Sequence, residues 1–314
     1  MNDNRHSGLL VPVLTPFGAD LAPDHGRYVG LCKALLAEGA GGLAIFGTTS
    51  EANSTSPGER RAMLEALLAA GVPAARLMPG VGSTSITEAA DNVSMCVRAG
   101  CGGVLMLPPF YYKGVSDDGI FAFFAEVIER AGKAGPPRIY LYHIPPQAVV
   151  GFGHDLIERL LDAFPGVILG IKDSSGDWDN MRAMMERFDS LDVFCGSEEF
   201  MLATLRHGGA GCITATGNVN VADISRLGRI WREDGADDLQ AKMTAVRKAF
   251  SRKPPIPMMK RYIASRTGHE DWARVRPPLT GVGAGEVPAL VADLETIGYA
   301  PGGLFEAIGA VVPA

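Results

Sequence analysis

Eight short runs of apolar, often β-branched residues punctuate the first two thirds of the chain: 9–14 (LLVPVL), 42–46 (GLAIF), 77–81 (LMPGV), 103–107 (GVLML), 138–142 (RIYLY), 167–171 (VILGI), 192–195 (DVFC) and 211–214 (GCIT). They lack in-out alternation, the pattern of strands in a parallel sheet whose faces are covered by helices. Helical stretches lie between them. Ser56-Pro57-Gly58-Glu59 supplies an N-cap serine, a proline at the first helical position and a glutamate able to reach back to the cap, and Ser85-Ile86-Thr87-Glu88 repeats the box. Helix ends recur in one form before the second, fourth and eighth runs: Ala37-Glu38-Gly39-Ala40-Gly41-Gly42, Arg98-Ala99-Gly100-Cys101-Gly102-Gly103 and Arg206-His207-Gly208-Gly209-Ala210-Gly211. Glycine there tolerates the left-handed backbone that closes a helix and turns tightly into the sheet. Eight strand-helix units in about 215 residues predict an α/β chain folded as a (β/α)8 TIM barrel, whose usual size is about 250 residues. A doubly wound open sheet is the rival, but the first turn lacks G-x-G-x-x-G.

From Asn218 onward the pattern turns helical, over 221–233, 237–251, 258–267 and 287–297, broken at Pro254, Pro255, Pro257 and at Pro277-Pro278. The eighth barrel helix is the first or second of these. The division expected is a catalytic barrel over 1–233 and a C-terminal helical domain over 234–314, whose stripe of Leu290, Val291, Leu294 and Ile297 must be buried. The 314 residues, 47% apolar and 20% charged with a net charge of −6, exclude disorder. Mild acidity without a basic stripe argues against nucleic-acid partners. The five cysteines (Cys32, Cys96, Cys101, Cys195, Cys212) form no C-x-x-C pair, and they read as buried reduced thiols. The first apolar run is too short for a signal core and no run reaches the length of a membrane span, so a cytoplasmic protein away from membranes is expected.

Barrel chemistry sits at the C-terminal ends of strands and in the loops beyond them. Lys172 closes the run Val167–Lys172. A lysine there loses hydration, which favours the neutral amine that attacks a carbonyl to form an imine; the other reading pairs it with Asp173 or sends it outward. Tyr142 ends the fifth run, either as a proton relay or as a core tyrosine bonded to a carbonyl. His143, pointing the opposite way, is structural. Gly47-Thr48-Thr49-Ser50-Glu51 follows the second run, and its hydroxyls and backbone donors suit a small carboxylate or an ordinary helix start. Tyr111, Tyr112 and Lys113 follow the fourth run and suit a site or a subunit interface. Zinc-ligand spacing, a P-loop and G-x-S-x-G are all absent from the sequence.

Thr15-Pro16-Phe17, Gly47-Thr48-Thr49-Ser50-Glu51, Pro109-Phe110-Tyr111-Tyr112, Tyr142-x-Ile144-Pro145 and Gly170-Ile171-Lys172-Asp173 occur in one order along almost the whole chain. Together they resemble the dihydrodipicolinate synthase/N-acetylneuraminate lyase family. The resemblance implies a homotetramer, a dimer of dimers, acting on a 2-keto acid and an aldehyde, with no cofactor beyond a covalent imine with pyruvate. It implies Lys172 as the imine lysine, Tyr142 as the proton shuttle, Thr48 and Thr49 as the carboxylate-binding hydroxyls with Thr49 in the relay, and Tyr111 as a tyrosine reaching a neighbouring subunit. Ile213 matches a residue whose carbonyl faces the site.

Three departures bear on the substrate. Gln147 stands where synthases place an arginine for the second substrate's carboxylate, and a neutral amide does not replace a bidentate guanidinium. Ser50 replaces a glycine and narrows the carboxylate loop, and His143 replaces the commoner asparagine. The expected activity is therefore a pyruvate-dependent aldolase or lyase on a 2-keto acid. The alternatives are 4-hydroxy-tetrahydrodipicolinate synthase proper, a 2-keto-3-deoxy sugar acid dehydratase or aldolase, and a non-catalytic keto-acid sensor.

Overall fold

The computed structural model describes residues 5–310. Its strands are β1 (Gly8–Val11), β2 (Gly42–Leu43), β3 (Val104–Met106), β4 (Ile139–His143), β5 (Ile168–Asp173), β6 (Asp192–Cys195) and β7 (Gly211–Ile213). The helices are α1 (His25–Ala37), α2 (Pro57–Ala69), α3 (Ile86–Arg98), α4 (Asp117–Gly132), α5 (Pro145–Ala148), α6 (His154–Ala163), α7 (Trp178–Arg187), α8 (Met201–Arg206), α9 (Gly217–Ile230), α10 (Ala236–Phe250), α11 (Pro255–Thr267), α12 (Val287–Ile297) and α13 (Leu304–Gly309). The chain separates into two compact units: residues 5–7 with Pro73–Ile213, and Gly8–Val72 with 214–310.

In the first unit β3 to β7 run parallel, each strand hydrogen-bonded to the next. Seven strands are found among the described residues where eight were expected. The missing one is 77–81, reduced to a single parallel bridge between Gly80 and Leu105. Pro79 explains the loss. Its carbonyl accepts from Leu105 N at 2.8 Å and Val81 N donates to Leu105 O at 3.0 Å, but the proline has no N–H with which to continue a ladder. In the layer below the strand ends, Tyr140 lies fully buried against two glycines. A Cβ at Gly103 would come within 2.6 Å of its ring, and one at Gly170 within 2.7 Å of the ring and 2.5 Å of the Asp192 carbonyl. That is closer than any Cβ packs, so both positions must be glycine for the ring to fit.

In the second unit β1 pairs parallel with β2. The expected run 9–14 stops as a strand at Val11, because Pro12 cannot donate; the Asn218 side chain takes over, accepting from Leu14 N at 3.0 Å and donating to the Pro12 carbonyl at 2.9 Å. β2 is shorter still, at two residues, and Phe46 turns away with a φ of 59°. The helices after Asn218 form as expected, with α9 and α11 starting earlier than the pattern suggested. Tyr262 of α11 anchors an aromatic cluster with Phe250, Tyr299 and Phe305. Leu290 and Leu294 of α12 are buried, while Val291 and Ile297 are half-buried. The Ser56-Glu59 capping box is complete, and Gly39, Gly100 and Gly208 all carry the positive φ expected after their helices.

Candidate functional site

The five parallel strands of the first unit direct their C-terminal ends to one edge, and Lys172 and Tyr142 lie there. β4 and β5 pair in a register that sets Tyr142 beside Lys172 and His143 beside Asp173. Strand alternation sends the first pair to one face and the second to the other. Lys172 is 6% exposed and Tyr142 4%. Lys172 Nζ donates to Tyr142 Oη at 3.2 Å and lies 4.3 Å from the centre of the same ring. The alternative of a Lys172–Asp173 pair is not what forms. Asp173 is held on its own face, accepting from Ser175 N at 2.7 Å, Ser175 Oγ at 2.5 Å and Asn180 Nδ2 at 2.7 Å.

His143 belongs to that second face. Its Nδ1 accepts from Phe152 N at 3.0 Å, which requires the proton of the neutral ring to sit on Nε2. Burial holds its pKa below the ordinary histidine value, with Asp173 opposing and His154 adding to the shift. Asn180 links the two sides of this network, because its amide oxygen meets His154 Nε2 at 3.0 Å while its nitrogen holds Asp173. The network braces the back of the strand whose front carries the lysine.

The remaining sequence-predicted residues of this unit surround the strand ends. Gln147 is exposed on the short helix α5, which begins two residues after β4. Tyr111 and Tyr112 stand 75% and 59% exposed with rings 5.6 Å apart, edge to face. Their turn is tied to α5 by Lys113 Nζ, which donates to the Ala148 carbonyl at 2.8 Å. Val149 follows at 65% exposure with φ 63° and ψ −41°, a strained conformation for a β-branched side chain. Ile213 ends β7 and is fully buried.

Thr48 and Thr49 lie in the second unit, on the loop after β2. Thr49 is buried and Thr48 half-buried. The loop winds through Ser50 N to Gly47 O and Glu51 N to Thr48 O, both 3.1 Å. Ser50 is bonded to backbone on both sides. Its hydroxyl accepts from Gly47 N at 3.3 Å and donates to the Val13 carbonyl at 2.6 Å, while its carbonyl accepts from Thr15 Oγ1 at 2.7 Å, so it pins the loop to the end of the first strand segment.

Glu51 is the residue whose role sequence reasoning missed. It adopts a left-handed φ of 56° and turns its carboxylate inward onto Lys260 Nζ, an ion pair with both side chains essentially unexposed. Its other oxygen accepts from Arg276 N at 2.9 Å, and Lys260 also donates to the Arg274 carbonyl at 2.8 Å. Burial pulls the Lys260 ammonium down to about 8, against the raising effect of Glu51. Both cations lie over the ring of Phe17, Lys260 Nζ at 4.4 Å and the Arg276 guanidinium at 4.7 Å from its centre. The signal for this clamp was present: Lys260 shares a helical face with buried Ile263 and Ala264, where a lysine needs a counter-charge. Among the described residues no group of His, Cys, Asp and Glu is placed to hold a metal ion, and no helix is long and apolar enough to cross a membrane.

The family model described as the dihydrodipicolinate synthetase family matches residues 5–297. Over 293 residues the chain is 30% identical to an uncharacterized DapA-like lyase of Chloroflexus aurantiacus, spanning 92% of this chain and 96% of that one. It is 28% identical over 283 residues to a 4-hydroxy-tetrahydrodipicolinate synthase of Rhizobium meliloti, spanning 87% and 91%. A crystal structure of dihydrodipicolinate synthase from Agrobacterium tumefaciens matches at a TM-score of 0.85 and 30% identity, over 92% of this chain and 99% of that one.

Proposed function

The chain belongs to the dihydrodipicolinate synthetase family, whose members act as pyruvate-dependent Schiff-base aldolases and lyases, and from that membership we propose that Lys172 is the imine-forming amine and Tyr142 its proton relay. The observation that carries the assignment is the buried 3.2 Å contact between Lys172 Nζ and Tyr142 Oη. The neutral amine attacks C2 of the keto acid, and the tyrosine hydroxyl protonates the departing oxygen, so water leaves and an iminium remains. The iminium is the electron sink. Loss of a proton from the adjacent carbon gives an enamine, which adds to an aldehyde carbon while the tyrosine delivers a proton to the new alkoxide; the reverse sequence cleaves the same bond. This chemistry calls for no cofactor, because the imine with substrate supplies what one would provide.

In this reading Thr48 and Thr49 hold the pyruvate carboxylate, with Thr49 in the proton path, and the Ile213 carbonyl faces the site. The same reading takes residues 1–233 as a (β/α)8 barrel, with the Gly80 bridge in the place of its missing strand, and 234–314 as a helical domain. The exposed Tyr111 and Tyr112 support a homotetramer built as a dimer of dimers, in which Tyr111 reaches a neighbouring site. A cytoplasmic protein that binds small molecules, and neither nucleic acid nor membrane, fits the acidic composition.

Substrate choice turns on Gln147. Lacking the guanidinium that would fix a second carboxylate, the site suits an aldehyde derived from a sugar acid better than aspartate semialdehyde. The relative from Rhizobium meliloti keeps 4-hydroxy-tetrahydrodipicolinate synthase as the second reading. A panel of pyruvate with aldehydes, run on the wild type and on Gln147→Arg, decides between them. We expect weak turnover of aspartate semialdehyde that rises in the variant; efficient condensation by the wild type would reject the argument from Gln147.

A further inference from the structure

The C-terminal end of α3 closes in a complete Schellman motif. Gly100 takes the left-handed position with a φ of 74°, its N–H donates to the Val97 carbonyl at 3.0 Å, and Cys101 N donates to the Cys96 carbonyl, also at 3.0 Å. This geometry folds the chain back so that the side chains three from the helix end and two past the cap meet, a contact ordinarily made by two apolar residues. Here both positions are cysteine. The interaction with Cys101 together with burial pushes the Cys96 thiol up, whereas the interaction with Cys96 pulls Cys101 below the usual thiol range against the opposing effect of burial. Cys96 is fully buried, Cys101 is half-buried, and both line a small cavity of about 60 Å³ together with Pro136 and Arg138.

We propose that Cys96 and Cys101 are an oxidisable dithiol that hydroperoxides convert to a disulfide. The Cys101 thiolate attacks one peroxide oxygen, the O–O bond breaks, and the released alkoxide or hydroxide takes up a proton, leaving a sulfenic acid on Cys101. Cys96 then attacks that sulfur: the S–S bond forms, the S–O bond breaks, and the hydroxyl leaves as water with the Cys96 proton. Two thiols lose two electrons in all, and the hydroperoxide gains them as it becomes an alcohol, or water, together with the second water. The order of attack follows from exposure, since a nucleophilic thiol must meet its oxidant as a thiolate.

The other thiols are not equivalent. Cys32 is buried and its thiol is pushed far up by desolvation. Cys195 and Cys212 face each other in register on β6 and β7, but both are fully buried and Cys195 Sγ donates to the Gly211 carbonyl at 3.4 Å. The dithiol also lies at the wrong end of the sheet to disturb imine chemistry. Cys101 precedes β3, whereas Lys172 and Tyr142 lie at the C-terminal ends of β5 and β4.

The test is peptide mapping of the native protein after hydrogen peroxide, with alkylation in denaturant and trypsin cleavage after Arg98, which separates the two cysteines. The expected result is one linked pair of peptides, two hydrogens lighter than their sum and split by dithiothreitol, with alkylatable thiols falling from five to three. A Cys96→Ser variant should stop at a Cys101 sulfenic acid that dimedone captures, and the yield of trapped pyruvate imine should not change. Full alkylation of both cysteines at a dose that oxidises the half-buried Met185 overturns the proposal. So does a Cys195–Cys212 link in its place, or a Cys96→Ser protein that dimedone leaves unlabelled.

Discussion

At the scale of single residues, what separates Lys172 from an ordinary buried lysine is its neighbour. Lys260 is at least as buried, but its charge is committed to Glu51 and a carbonyl, whereas Lys172 meets a phenol that can exchange protons with it. Tyr142→Phe should therefore keep the amine and lose the relay: turnover falls roughly 10²- to 10⁴-fold while borohydride still traps pyruvate on Lys172, both readable by steady-state kinetics and intact mass. Lys172 and Tyr142 were legible in the sequence because each closes an apolar run at the expected active edge. The backbone bonds of Ser50 were not legible, since a serine after two threonines gives no sign that its hydroxyl turns back to Val13. Glu51 was quoted in a motif yet given no partner, because its counter-charge lies 209 residues away and only the fold brings Lys260 to it.

At the scale of elements, the loop after β2 owes its shape to a helix far along the chain. The left-handed Glu51 and the buried ion pair fix the turn that carries Thr48 and Thr49. Removing one partner of such a pair leaves a desolvated charge, so Lys260→Met should lower stability by about 3–5 kcal/mol and raise the KM for pyruvate more than it lowers kcat. Thermal melts and pyruvate titrations of the variant check both parts. A melting temperature equal to the wild type's would show that the pair does not hold the loop. The periodicity of apolar runs located most strands within a residue or two. It failed where proline removed donors, at Pro12 and Pro79, because run composition registers burial and is blind to which N–H groups exist to make a ladder.

At the scale of the whole molecule, the repeat of strand and helix and the helical tail were both readable, because each element carries its own caps and stripe. The count was one strand too high for the reason given by Pro79. Acid stability is a property of the whole chain that no motif announced. His6 packs on Tyr140, donating its backbone N–H to Tyr140 Oη at 3.3 Å, and burial lowers its pKa to about 4. The unfolded chain binds a proton near 6.5 and the folded chain does not, so stability is full above pH 6.5 and drains as the pH falls toward 4, by roughly 3 kcal/mol. Glu59, held at about 2 mainly by its hydrogen bonds from Arg276, adds a loss below pH 4.5. His6→Leu should flatten the first part of the pH profile of urea midpoints and leave the second. The chain's eight lysines compete for one ketone. Reduction with borohydride in the presence of pyruvate, followed by peptide mapping, should place a single N-(1-carboxyethyl) adduct on Lys172. An unmodified Lys172, or an adduct on Lys260 or a surface lysine instead, would contradict the account.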